Sequence, residues 1–267
     1  MTSSSKFWLG FLSFVLVVVV IFGLSGMTWR DVKHFGTPRN ALTIDGETVK
    51  IPFPEPGDER LLPEVTPTTS GEYAFMNVVA GEPVRWDPCR PVYYVINPVG
   101  APPGSDELIF EAVEIVSEST GLLFEFEGYT SEVASFDRDL IQEEFYGDRF
   151  VPLIFGWSTE VHESELEGSV AGLGGSTSTA GAYGDQQYLV AGTVILDGPD
   201  LQTMMTTSGR RPLALAVIMH EIGHVVGLGH VDDPGELMNP TNSSLTGWGP
   251  GDLEGLAVAG RGVCQQV

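Results

Sequence analysis

The sequence predicts an α+β protein with a mostly consecutive sheet. Three observations lead to this class: strand-like runs alternate with two helical patterns, turn-forming residues are frequent, and hydrophobic residues make up 42% of the 267 residues. A chain of this length and apolar content can bury one full-sized core. The 33 glycines and 18 prolines indicate many turns between the elements.

The ordered part is predicted to begin near Tyr73, with a strand and then a helix. Residues 91–97, PVYYVIN, are rich in residues that favour β-structure, so they predict a strand. Residues 105–120 carry apolar side chains at helical spacing. Ser105 is the expected N-cap of this helix, and Gly121 is the expected stop.

Three further strands and a second strong helix follow. Residues 122–128 alternate phenylalanine with glutamate, whereas residues 150–157 and 189–197 are apolar runs, and each of these patterns predicts a strand. Residues 210–227 predict a helix with Pro212 in its first turn. The glycine-rich tract GSVAGLGGSTSTAGAYG lies between the last two strands, where it is compatible with a short exposed strand or with a flexible loop.

The first part of the chain is predicted to lie outside this domain. Residues 7–24 carry no charge and follow Lys6, and their length meets the minimum for a membrane-spanning helix. A secretory signal peptide is the alternative, and the protein would then be secreted after cleavage. Both alternatives place the rest of the chain outside the cytoplasm. The predicted segments are a short cytoplasmic N-terminus (1–6), a transmembrane anchor (7–25), a proline-rich extracytoplasmic stalk (26–72) and the domain (73–267).

Charge and cysteine content restrict the partners and the compartment. The chain has 36 acidic and 13 basic residues, a net charge of −23, so its surface repels nucleic acid. Cys89 and Cys264 lie near the two ends of the predicted domain. In an exported protein such a pair predicts one disulfide, and two separate buried thiols are the alternative. The oligomeric state stays open.

Residues 220–230, HEIGHVVGLGH, contain three of the five histidines of the chain. His220 and His224 are four residues apart on the predicted helix, so both rings project from one face. Gly227 can adopt the left-handed conformation that ends the helix, so that His230 approaches from another direction. Three neutral imidazoles in this arrangement can hold one zinc ion and leave a fourth position open for water.

Glu221 is the candidate general base beside these histidines. It neighbours His220 in sequence but points elsewhere on the helix, so its carboxylate can reach a water molecule without ligating the metal. The alternative is that the histidines of residues 220–230 bind no metal. The full spacing, with its glycine and third histidine, makes a chance occurrence rare.

With Met238 in GELMNP, the pattern H-E-x-x-H-x-x-G-x-x-H resembles the metzincin zinc metalloproteases, and it looks most like the matrixin branch. The similarity in the order of elements extends over residues 86–262. The resemblance implies a mixed sheet with an active-site helix, a methionine turn and a C-terminal helix. It also implies one catalytic Zn²⁺, a peptide or protein substrate, and Met238 as an apolar floor beneath the metal.

The expected function is therefore a zinc endopeptidase that acts on extracytoplasmic proteins at the cell membrane. A non-catalytic adhesion module stabilised by zinc on the same fold is the first alternative, and a metal-dependent hydrolase of other substrates is the second. An extended substrate is expected to add main chain to main chain beside an exposed strand. The residues of this expected strand are Val170, Ala171, Gly172, Leu173 and Gly174.

The chain departs from the matrixin pattern in three ways. Val231 follows the third histidine where matrixins usually carry serine, and the tyrosine common after the methionine turn is missing. The histidines that remain for a second, structural zinc are His34 and His162, and both are expected to be exposed. We therefore expect one zinc ion per chain.

Overall fold

Strands and helices alternate along the chain in the computed structural model, which describes residues 39–44, 47–52, 57–180, 187–241 and 244–265. The first strands are β1 (Arg39–Ile44), β2 (Glu47–Pro52), β3 (Ala74–Phe75), β4 (Val78–Val79), β5 (Glu82–Pro83) and β6 (Val92–Ile96). The later strands are β7 (Phe124–Tyr129), β8 (Leu153–Ser158), β9 (Gly172–Ala180), β10 (Gln187–Asp197) and β11 (Leu228–Gly229). The α-helices are α1 (Ser105–Thr120), α2 (Glu143–Tyr146), α3 (Gly198–Thr206), α4 (Arg211–Val225) and α5 (Pro250–Ala259).

The main sheet has five strands in the order β7-β6-β8-β10-β9. Four strands are parallel, and β9 pairs antiparallel with β10 at one edge. The α+β class is confirmed as a mixed sheet, but the predicted consecutive strand order is wrong. Neighbouring parallel strands need a crossover connection. Helix α1 supplies one between β6 and β7, and the chain then passes back across β6 to form β8 on its other side.

The core lies between the sheet and helices α1 and α4. Ile96 of the sheet, Leu108 of α1 and Ile222 of α4 are fully buried there. The opposite face of the sheet is covered by the connection of residues 130–152. Gly156 permits this cover, because a Cβ at that position would lie 2.5 Å from the Cβ of Ala134.

Helix α1 ends as the sequence predicts but begins differently. Gly121 follows it with a φ of 69°, the left-handed conformation expected of a helix stop. Ser105 was expected as the N-cap, and this prediction is wrong. The cap is Gly104, and the backbone N–H of Ser105 already bonds to the carbonyl of Pro102. The hydroxyl of Ser105 is buried without a hydrogen-bond partner.

Part of the predicted stalk is among the described residues, and it contains paired strands and contacts with later residues. Residues 39–52 include the paired strands β1 and β2. The guanidinium of Arg60 donates to the backbone carbonyls of Gly121 and Gly260, at 3.2 and 2.7 Å. The proline-rich sequence around Arg60 shows no strand periodicity, yet the Arg60 side chain binds later residues of the chain. The boundary at residue 73 stays a prediction, and Arg60, which precedes it, already makes hydrogen bonds to residues that follow it.

No helix in the described ranges is long and apolar enough to cross a membrane. The predicted cytoplasmic N-terminus (1–6) and anchor (7–25) lie outside the described residues. The membrane anchor therefore stays a prediction.

Candidate functional site

Helix α4 and the turn after it bring the three histidines of the motif together. Pro212 stands in the first turn of the helix, where its missing N–H breaks no hydrogen bond. Gly227 has a φ of 106°, which residues with side chains rarely adopt, and it turns the chain into β11. Strand β11 pairs with β3, and His230 follows it directly. His220 and His224 therefore project from the helix, whereas His230 approaches from the turn.

The three imidazoles face one another through their Nε2 atoms. Each Nε2 lies 3.1 Å from the other two. The Nδ1 of His220 lies 2.7 Å from the carbonyl oxygen of Leu237, and the Nδ1 of His224 lies 2.8 Å from that of Leu228. A carbonyl only accepts hydrogen bonds, so both Nδ1 atoms carry the proton and donate. In the neutral rings the Nε2 lone pairs of His220 and His224 therefore point into the shared space.

This arrangement fits a zinc ion. In tetrahedral coordination with Zn–N bonds of about 2.0–2.1 Å, three nitrogens lie about 3.3 Å apart. The observed spacing of 3.1 Å is close to this value. His224 is buried and His230 is exposed, so the histidine cluster is open to solvent on one side. An open side is what a fourth position for water or substrate requires.

Burial holds the histidines in the neutral form that binds metal. Desolvation lowers the pKa of His220 to about 4 and that of His224 to about 3. His230 is exposed as a residue, but partial desolvation of its ring also lowers its pKa. The rings are therefore uncharged at neutral pH, and a divalent cation would not have to displace protons from them.

Glu221 is buried beside the histidines, with 6% of its surface exposed. Among the described residues its carboxylate has no hydrogen-bond partner, and burial raises its pKa to about 8. A buried carboxylate without a partner is unfavourable unless it is protonated or close to a positive charge. A cation held by the neighbouring histidines would supply that charge.

The edge strand β9 packs directly against α4 at Glu221. A Cβ at Gly172 would lie 3.1 Å from Oε1 of Glu221, and a Cβ at Gly174 would lie 2.3 Å from its backbone carbonyl oxygen. These glycines therefore permit close approach of a strand and a helix, and they are not part of a flexible loop. Of the residues expected in the exposed strand, Val170 and Ala171 precede it.

Met238 lies beneath the histidine-bearing helix. It is 1% exposed, and a Cβ at Gly223 would lie 2.6 Å from its sulfur. Because Gly223 immediately precedes His224, the methionine side chain occupies the space next to the second histidine. Met238 therefore packs against the part of the helix that carries the candidate ligands.

Two buried carboxylates behind Met238 were not identified from the sequence. Asp252 accepts hydrogen bonds from the backbone N–H groups of Leu237 and Met238, and Glu236 accepts them from Gly251 and Asp252. Asp252 is 1% exposed and Glu236 is 2% exposed. The sequence gives a signal for Asp252, because an acid in the first turn after Gly-Pro-Gly is typical of a helix start. Nothing in the local sequence indicates Glu236.

The remaining predicted residues lie outside the histidine cluster. Cys89 and Cys264 form a disulfide, with their Cα atoms 5.2 Å apart, as predicted. His162 is exposed, and its Nδ1 lies 3.2 Å from the hydroxyl of Thr159. Within the described ranges it belongs to no group of side chains that could hold a metal. His34 lies outside the described residues.

Comparison with known structures and curated proteins adds little to this geometry. No curated protein matches the chain. A solved structure described as "GM1 bound form of the ECX AB5 holotoxin" is similar over 64% of this chain and 80% of that chain, with 12% identity and a TM-score of 0.35. At so low a TM-score the similarity supports no conclusion about this protein.

Comparison with family models gives a specific result. The model described as Matrixin matches residues 157–247. The matched segment includes β9, β10, α3 and α4, and it contains Glu221, Met238 and all three clustered histidines. The match covers about a third of the chain, so it shows that residues 157–247, which contain the histidine cluster, are similar to the matrixin model.

Proposed function

We propose that the protein is a zinc-dependent endopeptidase that cleaves proteins outside the cytoplasm. The observation that carries the proposal is the convergence of His220, His224 and His230, with Nε2 atoms 3.1 Å apart, beside the buried carboxylate of Glu221. The similarity of residues 157–247 to the matrixin model supports it. Zinc bound by these three histidines would polarise a water molecule and the carbonyl of the scissile peptide bond.

Glu221 is the proposed general base. Its carboxylate takes a proton from the attacking water and passes it to the leaving amine. A cation held by the neighbouring histidines would favour the carboxylate form of Glu221, which is the form that accepts a proton. The low exposure of Glu221 also limits competing hydrogen bonds from bulk water.

Strand β9 is the proposed binding edge for the substrate main chain. In the described residues β9 pairs with β10 alone, so its outer backbone groups are available to an added strand. The contacts of Gly172 and Gly174 with Glu221 keep this edge close to the proposed base. Met238 supports the histidines from below as an apolar floor.

The disulfide supports a location outside the cytoplasm. A bond between Cys89 and Cys264 forms and persists in oxidising compartments, whereas cytosolic thiols are kept reduced. Sequencing of the mature N-terminus distinguishes an anchored chain from a secreted one. A start beyond residue 25 would show that the predicted anchor is removed.

The test compares three variants for zinc content and for cleavage of a denatured protein. Glu221→Gln should retain zinc and lose roughly 10²–10⁴ in rate, because it removes the general base alone. His224→Ala should lose zinc and activity together, since two imidazoles leave the site incomplete. Glu160→Gln, which changes an exposed glutamate, is the control and should resemble the wild type.

Two results would contradict the proposal. A Glu221→Gln protein that holds zinc and cleaves at the wild-type rate would exclude the general-base role. A wild type that binds zinc but cleaves no protein, with or without chelator, would favour the non-catalytic module.

A further inference from the structure

An open groove lies between helix α1 and strand β7, at the sheet edge opposite to β9. Its volume is about 380 Å³. The floor is formed by Tyr94 and Phe124, with Phe110 at one end, and Glu114 and Glu118 on α1 form the rim. None of these residues belongs to the histidine cluster.

Aromatic rings form one wall of the groove. The ring centroid of Phe126 lies 5.3 Å from that of Tyr94 and 5.2 Å from that of Phe110. Phe110, which lines the groove, and its neighbour Phe126 are 37% and 39% exposed, so both rings present surface to solvent beside the groove. Exposed aromatic faces attract cations, and planar cations can also stack on them.

The polar groups that remain free in the groove are acceptors. Glu114 and Glu118 are exposed and lie one helical turn apart, and neither has an ion-pair partner in the described part of the chain. Like charges at this spacing destabilise a helix, and a bound cation would remove the repulsion. The hydroxyl of Ser117 is already used, since it donates to the carbonyl of Leu122.

Tyr94 provides independent evidence for a ligand. Its side chain is 5% exposed, and no described residue forms a hydrogen bond with its hydroxyl. Tyr94 lines the groove, and its hydroxyl oxygen is not fully enclosed by the described residues. A polar group that is nearly buried usually has a partner. A donor entering the groove would supply one.

Strand β7 offers main-chain groups beside the groove. In the described ranges it pairs with β6 alone, so its outer edge is free for another strand. An extended peptide that added to this edge could direct an alternate side chain toward α1.

We propose that this groove binds an arginine side chain from an extended peptide segment of a partner protein. The guanidinium has five N–H donors and no acceptor, which matches two carboxylates and an unpartnered phenol. Its planar face can stack on the exposed ring of Phe110, which lines the groove. The net charge of −23 attracts such a segment over a longer range.

The test is a binding titration of the full chain, purified in a neutral detergent with a metal chelator present. The probe is the blocked peptide Thr-Val-Arg-Val-Thr, and the same peptide with citrulline tests the need for positive charge. Glu114→Gln/Glu118→Gln should weaken binding at least tenfold. Tyr94→Phe should weaken it about three- to tenfold, the effect of one lost hydrogen bond. The control Glu144→Gln/Glu160→Gln removes two exposed charges outside the groove and should change the Kd less than twofold.

Specific outcomes would overturn the proposal. Equal weakening by the two double variants would show that general electrostatic attraction accounts for the binding. Equal affinity for the citrulline peptide would show that the groove does not recognise the positive charge of arginine. Absence of binding at millimolar peptide would exclude the site. The chelator separates this test from the proposed peptidase activity, so either proposal can fail without the other.

Discussion

His220 and Leu237 are joined by a hydrogen bond of 2.7 Å from the imidazole Nδ1 to the backbone carbonyl oxygen. The backbone N–H of Leu237 in turn donates to the carboxylate of Asp252 in helix α5. A continuous line of hydrogen bonds therefore runs from α5 through Leu237 to a candidate zinc ligand. The orientation of the His220 ring depends on a helix that contributes no ligand itself.

Asp252→Asn should weaken zinc binding, although Asp252 is not one of the candidate zinc ligands. The carboxylate of Asp252 accepts from Leu237, Met238 and Gly249, and an amide would turn an NH₂ group toward one of these donors. Groups that orient a metal ligand typically affect metal affinity by about 10–100-fold. Competition with a chromophoric zinc chelator measures the change. Asp137→Asn, at an exposed position, is the control, and equal zinc affinity of both variants would contradict the positioning role.

Gly174→Ala should separate strand β9 from helix α4. The added Cβ would lie 2.3 Å from the backbone carbonyl oxygen of Glu221, which cannot move without shifting the helix. We expect a loss of stability of about 1–3 kcal/mol from overpacking, and a larger loss of activity than of zinc. Urea unfolding and peptide cleavage measure the two effects. Gly247→Ala is the control because a Cβ there meets no atom within 4 Å, and equal behaviour of the two variants would contradict the contact.

The elements that the sequence predicted best are those with local signals. The apolar spacing of α1, its stop at Gly121 and the turn at Gly227 depend on residues close together in the chain, and the structure reproduces them. The strand order and the placement of residues 57–72 depend on contacts between distant residues. The bond from Arg60 to Gly260 joins positions 200 residues apart, and no local pattern encodes it.

In the candidate site, too, the features with local sequence signals were predicted and those that depend on distant contacts were not. The spacing of His220, His224 and His230 predicts the cluster, because a helical turn and one glycine are sufficient to bring the rings together. The buried Glu236 was missed, because its partners are backbone N–H groups that become neighbours after α5 packs against the turn. A single sequence does not show which glutamate will be buried when its partners are main-chain atoms.

Arg138→Met should destabilise the connection of residues 130–152, which covers the sheet face opposite to helices α1 and α4. Arg138 pairs with Glu132 at 2.6 Å, and their side chains are 5% and 6% exposed. Removal of the arginine leaves a buried carboxylate without its cation, which costs about 3–5 kcal/mol. Arg138→Met/Glu132→Gln should recover part of that loss, because no charge then stays buried. Urea unfolding measures both.

Arg149→Met is the matched control for this pair. Arg149 also pairs with a glutamate, Glu127, but the two side chains are 39% and 26% exposed. Water screens such a pair, so its loss should cost no more than about 1 kcal/mol. A loss at Arg149 as large as that at Arg138 would contradict the importance of burial.

The protein should bind one equivalent of zinc, and the metal should stabilise the fold. In the described ranges two groups of side chains could hold a metal, namely the three histidines and the set Asp87, Cys89 and Cys264. The two cysteines of the second set are bonded to each other, so they offer no thiolate to a metal. At free zinc about 1,000-fold above the Kd, binding to the folded state should add about 4 kcal/mol to the free energy of unfolding.

Elemental analysis gives the stoichiometry, and urea unfolding with and without chelator gives the stabilisation. Two equivalents in the wild type, with one retained by His224→Ala, would reveal a second site and contradict this prediction.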